Sequence, residues 1–135
     1  MKDLMMEFYN AFKNDSVISE HVSSIRFSDY PNANDITNPV IVIDDLSTPI
    51  PGDYADDDNL TYQYIYQIDL FVKQSSENGR LLSNRLILRI QRIMWEQFDF
   101  KVNMSGKPDY NKEFNMFTST VTFTGKKYRD EMEIL

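Results

Sequence analysis

No cysteine occurs in the 135 residues, which excludes a disulfide framework, a thiolate zinc site and cysteine catalysis. Histidine occurs once, at His21, with no cluster of carboxylates around it in sequence; near a helix end such a residue reads as an ordinary surface side chain. The four glycines (Gly52, Gly79, Gly106, Gly125) are isolated from one another. Phosphate-cradling loops and nucleophile elbows need clustered glycines, so both are excluded. No apolar run approaches the ~20 residues of a membrane span. The opening MKDLMMEFYNAF is interrupted by Asp3 and Glu7, which is not the pattern of a signal peptide. Basic residues are outnumbered 14 to 21, for a net charge of −7, the opposite of the balance that a phosphate-backbone binder carries. What the chain does have is 41% hydrophobic and 13% aromatic residues, enough to drive collapse around one core at this length. A small, acidic, intracellularly made single domain over 1–135 is the expectation.

The hydrophobic pattern changes period along the chain. Leu4, Met5, Phe8 and Phe12 fall at helical spacing and predict a short amphipathic helix, ended by Asn14-Asp15-Ser16. Val17 to Ser24 reads as a ragged turn and Ile25-Arg26-Phe27 as a short strand. A Pro/Asn loop follows, and then Val40-Ile41-Val42-Ile43, a β-branched run of the kind buried on both faces. Asp44 to Asn59, with Pro49, Pro51, Gly52 and the acids Asp53, Asp56, Asp57 and Asp58, reads as a long acidic loop. Leu60 to Val72 alternates apolar and polar residues throughout and predicts a long antiparallel strand with one face in the core. Ser75 to Gly79 breaks it. Asn78 is the expected N-cap of a helix reaching Trp95 or Gln97. Phe100 to Met104 is a further short strand, Gly106-Lys107-Pro108-Asp109 a turn, and Phe114 to Thr124 a second long strand with a threonine face. This order, α-β-β-β-α-β-β, predicts an α+β fold: a mixed, mostly antiparallel sheet of four to five strands packed on one face by two helices.

Chemistry-bearing constellations are few. Pro108-Asp109 matches the first half of a metal-dependent nuclease signature, but no acidic residue stands two before a lysine downstream, and Asp130, Glu131 and Glu133 lie near the end. Asp53, Asp56, Asp57 and Asp58 offer oxygen ligands without the alternating positions, central glycine or closing glutamate of a calcium loop. They read as a solvated loop, with Tyr54 among them, that is mobile in the free protein and orders on assembly. No cofactor, catalytic or metal residues are assigned.

The second helix is more informative. At about 100° per residue, Leu82, Leu86, Ile90, Ile93 and Met94 share a core face. Arg85, Arg89 and Arg92 form a stripe beside it, and Leu81, Leu88 and Trp95 make a second apolar line. A helix on a sheet needs one apolar face; a second, flanked by arginine and ending in tryptophan, has the composition of an interface. Two readings stand: a subunit contact, or cover by another segment of the same chain. For the arginines, pairing with carboxylates of a neighbouring subunit or of this one is preferred to DNA contact, because the net field repels phosphate.

The element order, the length and the strings PVIVIDDLSTPIPGDY and YQYIYQIDLFVKQ together resemble the small tail-terminator, or tail-completion, proteins of long-tailed phages of Gram-positive bacteria. The similarity covers roughly residues 1 to 125. It implies a structural, cofactor-free virion subunit at the head–tail junction, made in the host cytoplasm, with no membrane partner. Such subunits form a hexameric ring on the tail tube, stop its polymerisation and meet the head connector; DNA passes through the ring without specific binding. A head-completion stopper is the alternative within that class. Outside it stand a metal-binding protein or enzyme using Asp44, Asp45, Asp53 and Asp69, and a small acidic inhibitor module.

Overall fold

The computed structural model describes residues 2–74 and 78–133. Helices α1 (Leu4–Asn14) and α2 (Ser16–His21) lead into β1 (Ser24–Phe27), a 3-10 turn (Ala33–Asp35), β2 (Val40–Asp45), β3 (Ile50–Ala55) and β4 (Asp58–Lys73). Then come α3 (Gly79–Phe98), β5 (Lys101–Ser105), β6 (Asp109–Asn111), β7 (Met116–Tyr128) and α4 (Arg129–Met132). The fold is α+β with a mixed sheet of seven strands in the order β1-β2-β4-β7-β5; β3 joins β4 and β6 joins β7 off that path. Among the described strands only β1 and β2 run parallel.

The sheet is organised by its two longest strands. β4 and β7 pair antiparallel from Thr61 opposite Tyr128 to Lys73 opposite Met116, which puts one row of alternating side chains on each face. The even-numbered row of β4 faces the helices: Tyr64, Tyr66, Ile68, Leu70 and Val72 are all buried. Against it pack Phe8 and Phe12 of α1, Ile18 of α2, Leu86, Ile90, Ile93 and Met94 of α3, and Met132 of α4. Phe8 sits edge-on to Tyr66, Phe98 and Phe100, at centroid separations of 5.0, 4.8 and 5.4 Å, the preferred geometry of aromatic pairs. On the opposite face a smaller cluster of Ile36, Val40, Val42 and Met116 forms under the 3-10 segment. The β-branched run of β2 is thus buried on both sides, as its composition predicts.

Helix ends follow local chemistry. Asp3 caps α1 by accepting from the Met6 amide, and Asp15 caps α2 by accepting from Ile18 at 3.1 Å. Asn78 caps α3 by accepting from Arg80 and Leu81 amides at 3.2 and 3.4 Å. Asp99 closes α3 in the left-handed region at φ 58°, where the Phe100 amide donates back to the Met94 carbonyl at 2.9 Å, a helix-ending device usually served by glycine.

Four expectations are corrected. The sheet has seven strands rather than four to five, and the helical side holds α2 and α4 as well as the two expected helices. The segment 44–59 is not one long loop: β2 continues to Asp45, and β3 and β4 form a hairpin, with Ile50 opposite Gln63 and Ala55 opposite Asp58. Asp56 and Asp57 make its turn with φ 52° and 61°, the conformation of a two-residue turn matched to strand twist. β3 is paired on one side only, where Pro51 is tolerated. Asp109, expected in a turn, begins β6, which pairs with β7. The break expected over 75–79 lies partly outside the described residues.

Candidate assembly surface

α3 lies on the sheet with its core face down, so the helical period dictates what it turns outward. Leu81, Leu88 and Trp95, one line at seven-residue spacing, remain 56%, 65% and 52% exposed. No other described segment covers them, so the intramolecular alternative for this line is not realised. Between Leu88 and Trp95 on one side and Val102 of β5 on the other runs an open groove of about 570 Å³, floored by Phe100 and edged by Arg92 and Lys101. β5 is the terminal strand of the sheet path, paired only with β7, and Val102 and Met104 on it are exposed. Large apolar side chains that stay wet along one line and one strand edge are the mark of a surface meant for contact.

The arginine stripe divides. Arg89 turns towards the N-terminal helices and donates from Nη2 and Nε to Asp15 Oδ1 at 2.6 and 3.0 Å. The Asp15 side chain is 7% exposed, and the guanidinium beside it, together with the Ile18 amide, holds its carboxyl below the usual range despite burial. Arg89 is therefore committed within the chain. Among the described residues Arg92 meets only Glu96, at 3.5 Å across one exposed turn, a pair worth little in water. Arg85 is exposed near His21 and Leu81.

A second charged region lies across the sheet. On the β3–β4 hairpin, Asp53 accepts from the Thr61 hydroxyl at 2.6 Å and pairs with Lys126 at 3.2 Å, while Asp58, beside the turn, pairs with Arg129 of α4. These partners hold both carboxyls below their ordinary range. Asp56 and Asp57 at the tip are exposed, as are the large side chains of Ile50 (43%), Tyr54 (69%) and Leu60 (50%). The five residues expected in a mobile loop thus sit on a hydrogen-bonded ribbon.

On the face away from the helices, Asp69 is 4% exposed in the middle of β4. It accepts from Gln67 at 2.8 Å, Tyr30 at 3.1 Å and the Thr120 hydroxyl. Asp44 takes the Ser28 hydroxyl at 2.6 Å and lies 3.3 Å from the Tyr30 oxygen. Burial between these two aspartates pushes the Tyr30 phenol up to about 12. Every oxygen of Asp69 is occupied by a neutral donor, which is how a buried carboxylate is made structurally tolerable. The four aspartates considered as one metal or catalytic set do not converge: Asp44 and Asp69 share Tyr30, Asp53 belongs to the hairpin, and Asp45 is exposed at the end of β2. Among the described residues no three histidine, aspartate or glutamate side chains gather as a metal site, and no helix is long and apolar enough to cross a membrane.

Sequence reasoning found the apolar line of α3 but missed its partner across the groove. Val102 and Met104 carried a signal, alternation in a short strand, without showing that the strand is an edge. Tyr30 carried none, since its role depends on a loop folding back over β4. Comparison with protein-family models and with curated proteins gives no match to this chain.

Proposed function

We propose that the protein is a structural subunit of a phage virion that assembles as a ring of six copies on the end of the tail tube. There it stops tube polymerisation and joins tail to head. One observation carries this reading: a folded α+β domain leaves Leu81, Leu88 and Trp95 more than half exposed on its longest helix, beside an unpaired sheet edge. A monomer working alone gains nothing from that surface and risks aggregation by it. In a ring it is covered. The acidic balance of −7 suits a channel through which DNA slides, since a negative wall does not retain phosphates. The element order and the strand strings that resemble tail terminators supply the particular assembly.

The test is electron microscopy of particles made without this protein. Over-long tails not joined to heads are expected. Tails of normal length with heads that lose their DNA would instead indicate a head-completion stopper, and intact infectious particles would overturn the virion reading.

A further inference from the structure

The charges of this chain are unevenly placed. α3 carries four arginines and one glutamate, so in a chain of net charge −7 the remainder carries −10. The hairpin from Ile50 to Leu60 has four aspartates and no basic residue. Lys126 and Arg129 neutralise Asp53 and Asp58, which leaves the surplus negative charge on the two turn residues, Asp56 and Asp57. On α3 Arg89 is held by Asp15 and Glu96 offsets one charge beside Arg92, so the surplus positive charge is spread over Arg80, Arg85 and Arg92. Each region also exposes three large apolar side chains: Ile50, Tyr54 and Leu60 on the hairpin, Leu81, Leu88 and Trp95 on the helix.

Their positions matter as much as their chemistry. β3 flanks the β4–β7 pair on the side of β2, whereas β5 flanks it on the other side. Two complementary patches on opposite edges of one sheet cannot meet within a molecule, and they do not form a contact that is its own mirror. They match head to tail, which is the arrangement that closes into a ring when the rotation per subunit is right.

We propose that the tip of the β3–β4 hairpin of one copy docks on the α3–β5 groove of a second copy. Tyr54 lies against Leu88, Trp95 and Val102, while Asp56 and Asp57 face Arg85, Arg92 and Lys101. This rests on the ring reading above and specifies its subunit contact. Apolar contact supplies the affinity, and the charges select the edge and the rotation.

Charge exchange tests it. D56K/D57K and R85E/R92E, each in the full chain, are expected to weaken self-association by about tenfold or more, read by sedimentation velocity. All four substitutions together are expected to restore it, since every contact then pairs a reversed tip with a reversed groove. Because the chain lacks cysteine, a disulfide trap gives a second readout. D57C and V102C chains, mixed and gently oxidised, are expected to yield a linked dimer that neither gives alone. Circular dichroism of each variant verifies that it is folded. Oligomers that ignore both charge reversals, or that never trap, overturn the hairpin–groove contact and leave the ring standing. A wild-type chain still monomeric at about 1 mM, with over-long tails in its absence, overturns the self-contact and leaves the tail role. Normal tails in its absence overturn the tail role without touching the contact.

Discussion

Asp15 and Arg89 meet at 2.6 Å although they lie 74 positions apart, and their meeting fastens the N-terminal helices to α3. The Asp15 side chain serves twice, capping α2 through the Ile18 amide and accepting the Arg89 guanidinium. Asp15→Ala removes both roles and is expected to lower stability by about 1–2 kcal/mol, the scale of a lost N-cap, measured by urea unfolding at neutral pH. The pH dependence follows from the direction of the shift. Folding lowers the Asp15 pKa, so the unfolded chain takes up the proton first. The stabilisation is whole above the ordinary value of 3.8 and fades as pH falls through the lower folded value. Thermal scans from about pH 5 to about pH 2 should show the wild type and D15A converging; a constant difference would refute the assignment.

Tyr30 titrates late. Its phenol lies between Asp69 and Asp44 and is raised to about 12, so it stays protonated well beyond the point at which an ordinary tyrosine ionises. The unfolded chain loses that proton first, and this contribution to stability therefore declines as pH rises from about 10 towards 12. Asp69→Asn removes the nearer negative charge. Ultraviolet difference titration should find one tyrosine moved towards the ordinary range, with stability at neutral pH reduced by about 1–3 kcal/mol because an amide cannot accept from all three donors.

Gly125 makes room for Phe100. A Cβ built at Gly125 stands 2.6 to 2.8 Å from three carbons of the Phe100 ring, and that ring is fully buried against Phe8. Gly125→Ala is expected to destabilise by about 1–3 kcal/mol through overpacking. Combining it with Phe100→Leu should cost less than the two single changes summed, since the smaller side chain removes the clash. Additive losses would place the strain elsewhere.

Trp95 is the only tryptophan and is half exposed on α3, so it reports directly on the proposed contact. In the dilute free subunit its emission should be that of a wet indole and be quenched by acrylamide. On assembly the emission should shift to shorter wavelength and lose most of its quenching. Trp95→Ala is expected to change unfolding by less than about 0.5 kcal/mol, as for an exposed site, while weakening assembly.

Much of the fold was legible in residue periods. The long strand from Leu60 to Val72, the helix capped by Asn78 and the doubly buried run at Val40–Ile43 all follow from spacing, because burial on one face writes a period of two or 3.6 into the chain. The β3 ribbon was not legible. It is exposed on nearly every residue, carries Pro51 and Gly52, and turns on Asp56-Asp57 rather than on asparagine and glycine. An edge strand with no buried row has no period to read; its partner strand holds it. The apolar line Leu81, Leu88 and Trp95 was legible because it breaks the economy of a one-faced helix. The fate of Arg89 was not, since its carboxylate is set by how α1 and α2 pack. The resemblance to tail terminators drew on the same element order and strand strings; the groove edge at Val102 depends on sheet order, which no single strand encodes.

The ladder between β4 and β7 also governs how the chain comes into being. β7 lies in the interior of the sheet, yet of the described strands it is the last to be made. Until residues 116–128 leave the ribosome, β4 waits with one edge open and its row of tyrosines, isoleucine and leucine unmatched. Pairing Thr61 with Tyr128 requires closing nearly half the chain into a loop, so folding is slow relative to local hairpins and begins late. A chain cut short before β7 loses the centre of its sheet rather than a trimming from the edge. Such fragments expose a long aromatic strand to one another, and aggregates seeded on β4 are their natural end.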